Sequence, residues 1–147
     1  MTVDLSSRKM FTKLRTSSHS LNIETGRFTK KKRDTRICTL CNYKKVENEC
    51  HFLLECPFYT KERLTFFKSI DFVVLPADTE NKFSTLMSCL DGDSELAKPI
   101  CDFVKHCFDI RNEFLCNEKA SEIKERAPVI TRAGRTSKPT CRLIEAI

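Results

Sequence analysis

The stretch CTLCNYKKVENECHFLLEC, Cys38 to Cys56, constrains the chain more than any other feature. It reads C-x2-C-x9-H-x4-C, with Cys38, Cys41, His51 and Cys56 as candidate ligands. A C-x2-C pair at a turn can set two thiolates about 3.5 to 4 Å apart, the separation two corners of a tetrahedron require when Zn–S bonds are near 2.3 Å. A histidine and a cysteine a few residues apart on a following helical turn complete such a shell. Ordinary burial of cysteine as a small hydrophobe fits this stretch poorly, because only Ile37 and Leu40 offer apolar cover to the first pair. The spacing therefore predicts one structural Zn2+ in a closed shell, with no open position for metal-bound water.

Two details stay open. Cys50, beside His51, gives an all-cysteine alternative. His51 and Cys56 stand about 140° apart on an ideal α-helix, so a regular helix would aim them at different faces. Pro57 biases Cys56 toward an extended backbone, which would end the helix early and let the thiol turn back.

The remaining cysteines are read differently. The chain holds nine, and those after residue 80 show no C-x2-C pairing. Cys101 and Cys107 with His106 read as core cysteines and a surface histidine, and His19 as a hydrogen-bonding or packing residue. No basic start followed by an apolar run marks a secretory signal, and no run is long enough to cross a membrane. The expectation is an intracellular protein with reduced thiols.

With 147 residues, three glycines, no tryptophan and 31% charged residues, the chain is expected to be mainly α. It should form a small helical domain built around the CCHC zinc-binding turn, with a disordered basic C-terminal tail. Three segments are expected: a basic N-terminal helix and arm over 1–36, a zinc-binding helical domain over 37–118, and the tail over 119–147. A first helix over Asp4–Ser17 carries Leu5, Met10, Phe11 and Leu14, with Asp4 or Ser6 as cap. Residues 18–36 read as a linker or irregular arm, Cys38–Lys45 as a tight turn or short hairpin, and Glu49–Cys56 as a helical turn or two. Pro57 suits the opening of a helix over Phe58–Asp71 with Leu64, Phe67 and Ile70 on one side. A turn-type break and a helix near Glu80–Leu90 follow, then a turn at Asp91-Gly92-Asp93. From there Leu96, Ile100, Phe103, Cys107, Ile110 and Phe114 form an apolar stripe on a helix reaching about Asn117, read as core. The basic tail begins near Ala127.

Charge is unevenly distributed. Residues 1–36 hold ten Lys/Arg against three acids, and residues 71–120 hold five against ten. Arg15, Arg27, Lys30, Lys31, Lys32, Arg33 and Arg36 are candidate phosphate contacts, with Phe28 and Tyr43 available to stack on unpaired bases. The KKKR run also reads as a nuclear-import signal. The acidic helices 80–118 offer a surface for a protein partner or self-association. No Ser/His/Asp or Cys/His pair suggests an enzyme.

Leu14 to Arg63 resembles the zinc-binding segment that follows the polymerase domain in non-LTR retrotransposon reverse transcriptases. The matching elements are Arg15-Thr16 with His19, R-x-C-x2-C from Arg36 to Cys41, an acid at Glu47 or Glu49, H-x-L-L-E-C-P from His51 to Pro57, and then Tyr59 and Arg63. The resemblance implies Cys38, Cys41, His51 and Cys56 as zinc ligands and a role in holding RNA or target DNA. No paired-aspartate polymerase motif is present, so the chain resembles a detached, non-catalytic C-terminal part of such an element.

Overall fold

The computed structural model describes residues 2–89 and 95–126 and is mainly helical. The expected Asp91-Gly92-Asp93 turn and the tail from Ala127 lie outside the described residues. Two compact units divide after Phe108.

Helix α1 spans Leu5–Arg15, and the Asp4 carboxylate caps it by accepting from the Ser7 amide at 3.2 Å. This satisfies one amide that the first turn leaves without a partner. Phe11 and Leu14 are buried, whereas Leu5, counted as apolar-face from spacing, is exposed.

The segment expected to be an irregular arm is ordered. Helix α2, Asn22–Phe28, buries Ile23, Glu24 and Gly26, and a single 3-10 turn follows at Arg33–Thr35. Its own sequence has no side-chain cap at Leu21. The cap comes from far along the chain: Glu47 Oε2 accepts from the Asn22 amide at 2.7 Å, and the Ile23 amide donates to the Glu47 carbonyl at 3.2 Å. His19 is tied down in the same way. Its buried ring donates from Nε2 to Glu49 at 2.9 Å and accepts the Leu21 amide at Nδ1.

Among the described residues the only extended pairing is an antiparallel bridge between Ile37 and Val46. It closes the loop that carries Cys38 and Cys41, with Lys44 in the left-handed conformation (φ 51). The chain then turns helical and passes through Pro57, at the head of a short 3-10 turn, into α3, Thr60–Ser69. Proline is tolerated there because the amide it lacks has no helical partner at that position. The buried face of this stretch is Tyr59, Phe66 and Ile70. Leu64, expected on that face, points out, so the true register runs in steps through Tyr59, Arg63, Phe66 and Ile70.

Helix α4, Thr79–Met87, is capped by Asp78 and buries Leu86. Helix α5, Ala97–Arg126, runs past the expected end near Asn117. Pro99 sits in its first turn, where it costs no hydrogen bond. In the first unit the expected stripe holds at Leu96, Ile100, Phe103 and Cys107, and Cys101, Val104 and Phe108 widen it; past that unit Ile110 is half-buried and Phe114, expected in the core, is exposed.

These faces meet in one core. Phe52, from the metal-ligand turn, lies 4.6 Å from Phe108 and edge-on to Tyr59 at 4.9 Å, while Phe66 stacks on Phe103 at 4.5 Å. The ligand-bearing turn is therefore built into the helical core. Among the described residues no helix is long and apolar enough to cross a membrane.

Candidate metal centre

Cys38 and Cys41 ride on the bridged loop. The Cys38 amide donates to the Lys45 carbonyl at 2.8 Å, and the Glu47 amide donates to the Arg36 carbonyl at 2.9 Å, which sets the loop's ends side by side. The second pair comes from the helical piece after it. Asn48 Oδ1 accepts the His51 amide at 2.8 Å, as an N-cap does.

From His51 to Glu55 the backbone then adopts a π-helical turn, closed by the Cys56 amide on the His51 carbonyl at 2.7 Å. A π turn bonds residue i+5 to residue i, so it carries position 56 back over position 51. This resolves the angular mismatch of an H-x4-C pair on a regular helix. Cys56 itself is extended (ψ 122) ahead of Pro57, as the proline requires. Two carbonyls at the end of the turn are bonded by Arg63 of α3, from Nε to Leu53 at 2.9 Å and from Nη2 to Cys56 at 2.7 Å.

The result is a compact donor set. One ligand atom each from Cys38, Cys41, His51 and Cys56 lies within 4.8 Å of every other. Cys38 Sγ stands 3.9 Å from Cys56 Sγ, and Cys41 Sγ stands 3.4 Å from His51 Nε2. A tetrahedral zinc with typical bond lengths has S–S edges of about 3.8 Å and S–N edges of about 3.6 Å. A disulfide needs sulfurs about 2.05 Å apart, so Cys38 and Cys56 are free thiols. By number, type and spacing the four residues are close enough to hold one metal ion, and all but Cys41 are buried.

Electrostatics agrees with that fit. The neighbouring Cys56 thiol, against the effect of burial, holds the Cys38 thiol well below its ordinary value, and the same contact together with burial pushes Cys56 up. Two buried sulfurs side by side cannot both shed protons without a cation between them. A divalent ion bound there would supply that cation, and its uptake would release protons.

His51 Nδ1, on the far side of the ring from Cys41, makes no hydrogen bond but faces Glu55 Oε2 at 3.5 Å. Lys45 Nζ holds the same carboxylate oxygen at 3.3 Å. A metal-ligating imidazole usually directs its second N–H to a carboxylate, which orients the ring and raises its basicity. Glu55 is the group in place to do this, and nothing in the ligand spacing singled it out beforehand.

The geometry also decides between His51 and Cys50. Cys50 falls outside the cluster of four, whereas His51 lies within it. Cys101 and Cys107 are buried in the α5 face and His106 is exposed, as read from sequence.

The candidate phosphate contacts divide. Lys30, Lys31, Lys32 and Arg33 are exposed in the segment just ahead of Cys38. Arg27 is exposed as well but pairs with Glu24 at 2.8 Å, and Arg15 is half-buried at the end of α1. Arg36 bonds backbone: Nη1 to Ile23 O at 2.8 Å, and Nε and Nη2 to Lys31 O at 3.1 and 2.8 Å. It thus staples α2 to the 3-10 turn, a structural role that a basic residue's one-letter code does not disclose.

No family model, curated protein or solved structure matches the chain.

Proposed function

We propose that the chain is a zinc-stapled nucleic-acid-binding module, non-catalytic, of the kind that follows the polymerase domain in non-LTR retrotransposon reverse transcriptases. The observation that carries the reading is the continuity of the four-ligand cluster with the basic segment that enters it. Lys30 to Arg33 lead through Arg36 and Ile37 directly into Cys38, and the Ile37–Val46 bridge holds that segment against the ligand loop. Zinc is favoured over other ions by three thiolates and one imidazole at tetrahedral spacing. The ion's task is to hold the shape of the loop, and the task of the cations is to meet phosphates. Origin from a retroelement rests on the H-x-L-L-E-C-P and R-x-C-x2-C motifs.

The test is fluorescence anisotropy of labelled single-stranded RNA and DNA over a salt series on zinc-loaded protein. With four phosphates met by Lys30 to Arg33, the slope of log K against log salt is expected near −3, from about −0.7 per phosphate on single strands. Affinity that does not change between about 50 and 200 mM salt would exclude phosphate contact as the source of binding.

A further inference from the structure

The geometry points to a discrete seat for one nucleotide of a single-stranded nucleic acid in the cleft between α2 and the 3-10 turn. The inference rests on the nucleic-acid reading above and names the place where the strand is gripped.

The cleft has a volume of about 280 Å³. Four threonines line it, Thr25, Thr29, Thr35 and Thr39, together with Lys31 and Arg36. No carboxylate is among its lining residues. The volume is just under the roughly 300 Å³ at which pockets for small organic groups begin, a space on the scale of one sugar-phosphate unit.

Arg36 supplies the physical reason for an anion. Its aliphatic stem lies over Gly26, where an added Cβ would come within 2.5 Å of Cγ and 2.7 Å of Cδ. The guanidinium is thereby held in place and bonded only to neutral carbonyls, those of Ile23 and Lys31. A guanidinium has five N–H donors, and these bonds use three. Among the described residues it makes no ion pair, so a half-buried, pre-oriented cation lacks a counter-ion. A phosphate is the anion whose geometry a guanidinium matches best.

The rest of the wall suits the sugar. At the C-terminal end of α2 the Gly26 carbonyl, which would otherwise face a phosphate unpaired, accepts the Lys31 amide at 2.9 Å and the Thr29 hydroxyl at 3.3 Å. Asn22 Nδ2 donates to the Ile37 carbonyl at 2.8 Å, which joins the two sides of the cleft and leaves the side-chain oxygen as an acceptor. In the seated strand the phosphate meets Arg36 and Lys31, the ribose meets threonine hydroxyls, and the neighbouring phosphates run toward Lys30, Lys32 and Arg33.

The experiment uses zinc-loaded full chain and fluorescein-labelled oligouridine and oligothymidine of about twenty nucleotides, between about 50 and 200 mM KCl. The double variant Thr25→Leu/Thr39→Leu fills the cleft without changing charge. It is expected to bind about tenfold more weakly at the low-salt end and to lose about 0.7 from the salt slope, one phosphate contact. Lys9→Ala, on α1 and outside the cleft, is the charge control and should change affinity less. A double variant with native zinc content and helicity that binds as tightly as wild type, with an unchanged slope, overturns the seat. If Lys30→Ala/Lys32→Ala still weakens binding in that case, the nucleic-acid reading survives alone. Wild type that binds neither oligonucleotide sinks both. Should the double variant fail to fold, amide shifts of Thr25, Thr29 and Thr39 in wild type titrated with oligouridine decide, and shifts that stay fixed overturn the seat.

Discussion

Replacing Cys56 with serine separates the work of the ion from that of the protein around it. Cys56 is fully buried, 3.9 Å from Cys38 Sγ, in a donor set where this edge and the 3.4 Å edge from Cys41 to His51 lie within a few tenths of an ångström of those of a tetrahedral zinc. Little rearrangement is needed on loading, so binding free energy passes almost entirely into folding stability. At free zinc a thousandfold above Kd that stabilisation is about 4 kcal/mol. For a unit of this size each kcal/mol moves Tm by about 4 °C, which puts the expected drop on chelation near 15 °C. Cys56→Ser keeps the side-chain shape and removes the thiolate. In calorimetry or thermal circular dichroism it is expected to melt close to the chelated wild type, and chelator should then change it little. Cys101→Ser is the control: it is equally buried but outside the cluster. It should lose about 1 to 3 kcal/mol from an unpartnered buried hydroxyl and keep the full chelator shift. A wild type whose Tm ignores chelator, or a Cys56→Ser protein that retains the shift, refutes the structural-ion argument.

Three further outcomes follow from the packing. Glu55→Ala, which takes away the carboxylate facing His51 Nδ1, should lower zinc affinity about tenfold in competition with a chromophoric chelator, and unchanged affinity would remove Glu55 from that role. Gly26→Ala reverses the usual preference of a helix for alanine. The new methyl group would meet Arg36 Cγ at 2.5 Å and push the guanidinium off Ile23 O and Lys31 O, so denaturant melts should show a loss of about 1 to 3 kcal/mol, and a gain in stability would contradict the stapling role of Arg36. Phe52→Ala empties the space between Tyr59 and Phe108 and should cost about 3 to 5 kcal/mol by urea denaturation; a cost below about 1 kcal/mol would show that the ligand turn is not part of the core.

Much of the centre was legible before any coordinates. A C-x2-C pair in polar surroundings with a following H-x4-C advertises four soft donors at a spacing few other roles require, and those four converge. The Asp4 cap and the apolar stripe of α5 were legible for a related reason, since capping and periodicity are written in neighbouring residues. Helix α2 was not. NIETGRF holds an interior glycine and lacks a local cap, so its intrinsic preference for helix is weak. It is helical because Glu47 caps it and Ile23 packs into the core. The face of α3 was misjudged by a fraction of a turn because Leu64 and Phe66 are both apolar, and only the position of Phe103 selects between them.

What the amino-acid sequence determined by itself is the inventory: three thiols and an imidazole at ligand spacing, a cationic run before them, and helices whose apolar positions repeat at the right period. These are properties of residues close together in the chain. Tertiary structure alone decided the choice of His51 over Cys50, the π turn that swings Cys56 back over it, and the diversion of Arg36 from solvent to backbone carbonyls. Each of those depends on where groups distant in sequence come to rest, because a hydrogen bond or a coordination edge is made or lost over a fraction of an ångström that local chemistry does not set.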